Sequence, residues 1–152
     1  MVSLVNLLMT PKGFAFETWW VRHTGFSILN HLFAWREGFQ PRPALLLRVK
    51  GRKTGKWFQV PLPYFKVNDE LMVVGSKGGG PEDPQWAKNL KANMDAEIYL
   101  RRRKRNIAVR IAEGDEYDSL WGRVIEEVPT YIEYKKRCEG IRQIPLVLLN
   151  PR

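Results

Sequence analysis

The sequence predicts an α+β domain: a small barrel of five or six mostly antiparallel strands with helices around it. Short apolar runs bounded by Gly, Pro and Asn-Asp turn signals supply the strands. Segments with apolar residues three and four apart supply the helices. At 152 residues, 44% of them hydrophobic and 12% aromatic, the chain is long enough to bury one core and too apolar to be disordered.

In chain order, Phe14 to Trp35 carries Phe16, Trp19, Trp20, His23, Phe26, Leu29, Leu32 and Phe33 at helical spacing, which predicts one amphipathic helix rich in aromatics. Residues 1–40 thus form an N-terminal amphipathic helical segment, distinct from the domain expected over 41–152. Past Pro41-Arg42-Pro43, the run Ala44 to Val49 reads as a buried strand and Gly51 to Lys56 as a turn. Trp57 to Val67 reads as a second strand that Pro61 and Pro63 confine to an edge or a bulge. Asn68-Asp69 turns the chain into a third strand, Leu71 to Gly75. A glycine loop leads to a short helix from Pro84 to Asn93. Ile98 to Leu100 and Ile107 to Ile111 predict a hairpin whose turn is Arg101 to Arg105. Gly114-Asp115 opens a helix through Val128, Pro129 starts another, and Ile144 to Leu149 supplies a last strand.

The net charge of +9, with a pI near 9.9, calls for an anionic partner: nucleic acid, an acidic small molecule or an anionic membrane surface. No helix-turn-helix, zinc finger or ribonucleoprotein motif accompanies the arginine hairpin, so no nucleic-acid partner is expected. The one cysteine rules out an internal disulfide and fits a reducing cytoplasm. Two histidines, both on the N-terminal helix, and that cysteine do not make a standard zinc site, so no metal is expected. The N-terminus lacks a basic region and a cleavage site, and no run of eighteen apolar residues occurs. A cytoplasmic protein is expected, peripheral on the inner face of the membrane if its Trp-rich helix docks there.

Two segments carry the chemistry. Gly51-Arg52-Lys53-Thr54-Gly55 and Gly75-Ser76-Lys77-Gly78-Gly79-Gly80 each set bare backbone N–H groups beside cations at the end of a strand-like run. Neither matches the phosphate loop of nucleotide hydrolases or G-x-G-x-x-G. With Pro61-Leu62, Pro84-x-Trp86, Asn89-Leu90-Lys91-Ala92-Asn93, Pro129-x-Tyr131-x-x-Tyr134 and Arg142-x-Ile144-Pro145, they form an ordered set covering roughly Pro43 to Pro151. The set resembles the deazaflavin-dependent nitroreductase family, split-barrel oxidoreductases that use reduced coenzyme F420.

The resemblance implies a split β-barrel over residues 41–152 that binds a deazaflavin with a phosphate and an oligoglutamate tail. Arg52, Lys53, Thr54 and Lys77 are then expected at the phosphate and tail. Phe58, Gln59, Val60, Pro61, Leu62, Pro63, Val74, Gly75, Ser76, Gly78 and Gly79 are expected along the ring, and Gln85, Trp86 and Asn89 on the helix-side wall. Tyr131 and Tyr134, three apart on one helix face, are expected to line the acceptor pocket, where a hydroxyl can donate a proton. Phe58 stands where many relatives carry Arg, and Val128 where some carry an aromatic. The expected activity is hydride transfer from reduced F420 to an electron-poor acceptor such as a quinone, an activated alkene or a nitro compound, by a monomer or homodimer. The rivals are the same barrel holding flavin mononucleotide (FMN), and a non-catalytic basic protein binding membrane or nucleic acid.

Overall fold

The computed structural model describes residues 2–151. Three helices come first: α1 (Val2–Leu8), α2 (Pro11–Thr24) and α3 (Ile28–Glu37). The single helix expected from Phe14 to Trp35 is therefore broken. Gly25, at φ +70°, ends α2 in the left-handed conformation that glycine adopts without strain. Ser27 then caps α3 by accepting from the Asn30 N–H at 3.0 Å. The break is stitched from the other side by Glu17, which is fully buried. Its carboxylate accepts from the Ser27 hydroxyl and from the backbone N–H groups of Ile28 at 3.3 Å and Leu29 at 3.2 Å. A buried carboxylate satisfied this way suits the positive end of a helix. Upstream, Thr10 and Pro11 start α2. A Cβ on Gly13 would lie 2.0 Å from the Leu7 carbonyl oxygen, so glycine lets α1 cross α2 closely.

Seven strands follow, all paired antiparallel: β1 (Ala44–Lys50), β2 (Trp57–Pro63), β3 (Phe65–Val67), β4 (Glu70–Val74), β5 (Ala96–Leu100), β6 (Arg103–Ile111) and β7 (Leu146–Pro151). Helix α4 (Gln85–Ala92) separates β4 from β5, and α5 (Gly114–Glu127) and α6 (Tyr131–Cys138) separate β6 from β7. The sheet order is β2-β1-β5-β6-β7-β4-β3. Its two edge strands, β2 and β3, are consecutive in the chain and joined through Tyr64 alone. That short link brings the two edge strands together at one corner and curls the sheet into a half-barrel.

This closure also explains a difference from the sequence reading. The single strand expected over Trp57 to Val67 is two, because the chain leaves β1 at Pro63 and joins β4 from Phe65. Seven strands result rather than five or six. Pro61 and Pro63, which lack an N–H, do sit on an edge strand as expected. The β5–β6 turn is also tighter than expected. Arg101 and Arg102 alone make it, at φ +48° and +71°, and Arg103 to Arg105 belong to β6.

Alternating side chains divide the core in two. Leu45, Leu47, Val49, Val73, Ile98, Ile107 and Leu149 fill the concave face, closed by Trp86 and Leu90 of α4. Met72, Leu146 and Leu148 point outward, where Tyr117, Trp121 and Val124 of α5 cover them. Val128 is buried in that outer layer. Among the described residues, no helix is long and apolar enough to cross a membrane.

Candidate functional site

A cleft of about 540 Å³ opens where β1 ends, between the β1–β2 turn and α4. Val49, Gly51, Phe58, Val60 and Trp86 give it apolar and aromatic surfaces, and Arg52, Lys53, Thr54, Gln59, Gln85 and Asn89 give it polar ones. The turn is held by Gly51 N–H to the Lys56 carbonyl at 2.7 Å and by Gly55 N–H to the Gly51 carbonyl at 2.8 Å. Gly55 takes φ +71°, and a Cβ on Gly51 would sit 2.6 Å from the Phe58 ring. Glycine at 51 therefore lets an exposed aromatic lie flat on the turn.

Arg52 is fixed from α4. Asn89 Oδ1 accepts from its backbone N–H at 3.2 Å and from Nη1 at 2.8 Å, and Gln85 Oε1 accepts from Nη2 at 2.9 Å. Both partners are neutral amides, so they orient the guanidinium without cancelling its charge. Lys53, exposed beside it, adds a second cation to the same wall. Helix α4 presents its first turn here without a side-chain cap, since Pro84 occupies the N-cap position. Its leading N–H groups add positive character. The set suits a flat ring bearing an anionic arm: aromatic walls beside uncompensated cations.

The structure thus gathers nine of the residues singled out from the sequence, Arg52, Lys53, Thr54, Phe58, Gln59, Val60, Gln85, Trp86 and Asn89, around one cleft. Phe14 of α2 joins them. Nothing in the sequence flagged it, because it reads as one aromatic among many on an amphipathic helix.

The remaining residues lie elsewhere. Pro61, Leu62 and Pro63 continue β2 away from the cleft, opposite Leu46, Leu45 and Ala44. Val74 ends β4, and Gly75 to Gly79 form the loop after it. Arg142, almost wholly enclosed, holds that loop by its carbonyls. It donates to Gly75 O at 3.1 Å, Ser76 O at 2.7 Å, Gly80 O at 2.9 Å and the Asp83 carboxylate at 2.8 Å. Arg137 adds a bond to Gly78 O at 3.1 Å. A Cβ on Gly79 would lie 3.0 Å from Tyr134 Cα, so this glycine permits the close approach of α6. Lys77, at φ +46°, lies near Glu82. The Lys88 ammonium, and then Lys77, hold the Glu82 carboxyl below its usual range.

Tyr131 and Tyr134 stand on α6, rings 5.5 Å apart and edge to face. Tyr131 also meets Phe65 and Trp121 edge-on. Burial pushes its phenol up to about 12, reinforced by Tyr134 and opposed by the Ser76 hydroxyl and Arg42. Tyr131 therefore stays neutral where α6 packs on the outer core.

A family model described as F420H(2)-dependent quinone reductase matches residues 33–151. Rv3178 of Mycobacterium tuberculosis (strain H37Rv) is 36% identical over 116 residues, 76% of this chain and 96% of that protein. The F420H(2)-dependent quinone reductase Rv1261c of the same strain is 33% identical over 146 residues, 88% of this chain and 97% of its own. A solved structure described as an F420-H2 dependent reductase, FDR-A, superposes with a TM-score of 0.62 at 33% identity, over 72% of this chain and 95% of the other. A second, described as a domain-swapped dimer, superposes with the same TM-score at 33% identity, over 72% of this chain and 81% of the other.

Proposed function

The chain belongs to the F420H(2)-dependent quinone reductase family, and from that premise we propose that it reduces a quinone with hydride from F420H2 bound in the cleft beside α4. It is an oxidoreductase of split-barrel fold, and coenzyme F420 is its cofactor. The observation that carries the site is Arg52, oriented by Gln85 and Asn89 yet left with its full charge against the aromatic walls of the cleft.

When bound, the reduced deazaflavin supplies a hydride, and that chemistry belongs to the coenzyme. The protein binds, orients and excludes water. Arg52, Lys53 and Thr54 hold the phosphate and acidic tail by charge-assisted hydrogen bonds. Phe58, Val60 and Trp86 lie against the ring, with Gln59, Gln85 and Asn89 at its polar edges, and Phe14 closes the side open to water. Pro61 to Pro63, further along β2, and the loop from Val74 to Gly79 are proposed to meet the part of the coenzyme that extends beyond the cleft, with Lys77 adding to the attraction. A quinone that gains a hydride takes up one proton to become a hydroquinone. Tyr134 is the residue proposed to give it, with Tyr131 fixing its ring.

Quinones partition into bilayers, and the N-terminal helices expose Leu7, Phe16, Trp19 and Trp35, which are 46–70% accessible. Docking of this face on an anionic membrane surface is part of the proposal, with Arg22 and Arg36 nearby in the chain.

The test is a titration of the protein with oxidised F420 and, separately, with FMN, at low and high salt. F420 is expected to bind more tightly and to weaken as salt rises. Equal or tighter binding of FMN would sink the reading.

A further inference from the structure

At the other end of β1, a second cleft of about 530 Å³ is lined by Lys66, Arg101, Arg103 and Arg105, with Tyr64 and Leu71 beneath them. Ala44, at this end of the strand, is about 17 Å from Val49 in the coenzyme cleft, five residues at the rise of an extended strand. All four cations are exposed, and strand register sets Lys66, Arg103 and Arg105 on the inner face of the sheet. Ile107 points into the concave core, and Arg105 and Arg103 continue that face at two-residue steps. Lys66 pairs in register with Leu71, another concave-face residue. All are therefore gathered at the open mouth of the half-barrel.

Charge and backbone both mark the place. The lining contains no carboxylate, and none of the four cations forms an ion pair among the described residues. Lys104, on the opposite face of β6, does reach Glu97, at 3.7 Å. Arg101 stands at φ +48°, left-handed backbone of the kind a two-residue hairpin turn requires and that Gly or Asn takes more readily. Its neighbour Arg102, at φ +71°, donates to the His23 carbonyl at 2.9 Å and fixes the turn on α2. Tyr64 is 9% exposed and lines this cleft and the adjoining one beside Gly25. Its hydroxyl has no hydrogen-bond partner among the described residues and is not one of the fully enclosed polar atoms, so it is open to a ligand from outside. Three arginines, a lysine and a tyrosine thus line one cleft.

We propose that this mouth is an oxyanion site for a phosphate ester, held by Arg103, Arg105, Arg101 and Lys66 with a hydrogen bond from Tyr64. Guanidiniums match phosphate oxygens two at a time, and a partly enclosed cleft screens them less than open water does. The ester belongs to a lipid headgroup or to a soluble phosphorylated molecule. The site is separate from the cleft of the proposed reaction, and its test does not depend on that reaction.

Pyrophosphate is the probe, titrated calorimetrically into the full-length protein at low ionic strength. Saturable binding is expected. The Arg103→Gln/Arg105→Gln double variant should weaken it about tenfold or more, and Tyr64→Phe by a smaller factor. Arg123→Gln, an exposed position on α5 outside both clefts, should bind as the parent does. Lys66→Gln, on the edge strand, gives an independent variant if the double one folds poorly, and it too should bind more weakly. No saturable binding, parent-like binding by the β6 and Lys66 variants, or an equal loss in Arg123→Gln overturns the proposal. Sedimentation with phosphatidylglycerol and phosphatidylcholine vesicles then separates the sources. Retention on phosphatidylglycerol that the double variant loses identifies a headgroup. Equal retention of parent and variant, alongside the loss of pyrophosphate binding, identifies a soluble ester.

Discussion

Arg52 and Lys53 are neighbours in the β1–β2 turn but meet different surroundings. Arg52 is fixed by Asn89 and Gln85, whereas Lys53 is free to move with its ligand. Lys53→Ala should therefore weaken F420 binding without disturbing the fold. A charge-assisted contact is worth about 1.5–3 kcal/mol, roughly tenfold or more in affinity, and less as salt rises. Asn89→Ala should do two things at once. It removes the acceptor of the part-buried Arg52 N–H, lowering stability by about 0.5–1.5 kcal/mol, and it lets the guanidinium swing, weakening the coenzyme. Thermal melts and F420 fluorescence titrations of the two variants check the contrast. Tyr134→Phe should slow quinone reduction more than it weakens coenzyme binding; parent-like turnover with a lowered melting temperature would leave it a packing residue only. At this scale the sequence was informative where a motif was contiguous, as in Gly51 to Gly55. It was silent where a side chain acts across the fold: the Arg52–Asn89 pairing spans 37 positions. Arg142, visible only as part of an ordered motif, turns out to hold the whole loop after β4.

Among the elements, the N-terminal helices departed most from expectation. Apolar spacing from Phe14 to Trp35 is continuous enough to suggest one helix, yet Gly25 and Ser27 are a stop and a start in plain view. Glu17 was unreadable, because a carboxylate on an aromatic-rich helix looks like its polar face and not like a buried cap for the next helix. Glu17→Ala leaves the Ser27 hydroxyl and two N–H groups without their acceptor, so a loss of about 2–4 kcal/mol is expected in denaturant titrations, with Glu17→Gln intermediate. Helices α5 and α6 carry a pH signature. Burial raises both Tyr117 and Tyr131 from 10.0 to about 12, so folding favours their neutral forms. Their contribution is complete below pH 10 and is lost as pH climbs from 10 towards 12. Stability should accordingly fall over that window, and the Tyr131→Phe and Tyr117→Phe proteins should lose less of their own stability across it than the parent does.

For the molecule as a whole, closure of the sheet through Tyr64 is what sets the two ends of the half-barrel apart, and the coenzyme cleft is at only one of them. The α+β class and the split barrel were legible, since strand runs, turn signals and ordered motifs agreed. The sheet order was not, because pairing partners are distant in sequence and each strand alone is too short to specify them. The N-terminal segment is likewise tied into the whole: Phe14 lines the cleft, and Val21 and Ala34 are fully covered. A protein lacking residues 1–40 should therefore bind F420 more weakly than the full chain, and it should lose sedimentation with anionic vesicles if the helices dock there. The central claim is hydride transfer from the cleft beside α4 to a quinone. Its most direct measurement follows anaerobic oxidation of F420H2 with a soluble benzoquinone, for the parent and for Lys53→Ala. F420H2 should be consumed only when quinone is present, with an equal amount of hydroquinone formed. Lys53→Ala should need about tenfold more coenzyme to reach a similar saturated rate. Absence of quinone-dependent oxidation, or a Lys53→Ala protein whose coenzyme dependence matches the parent, would contradict the account.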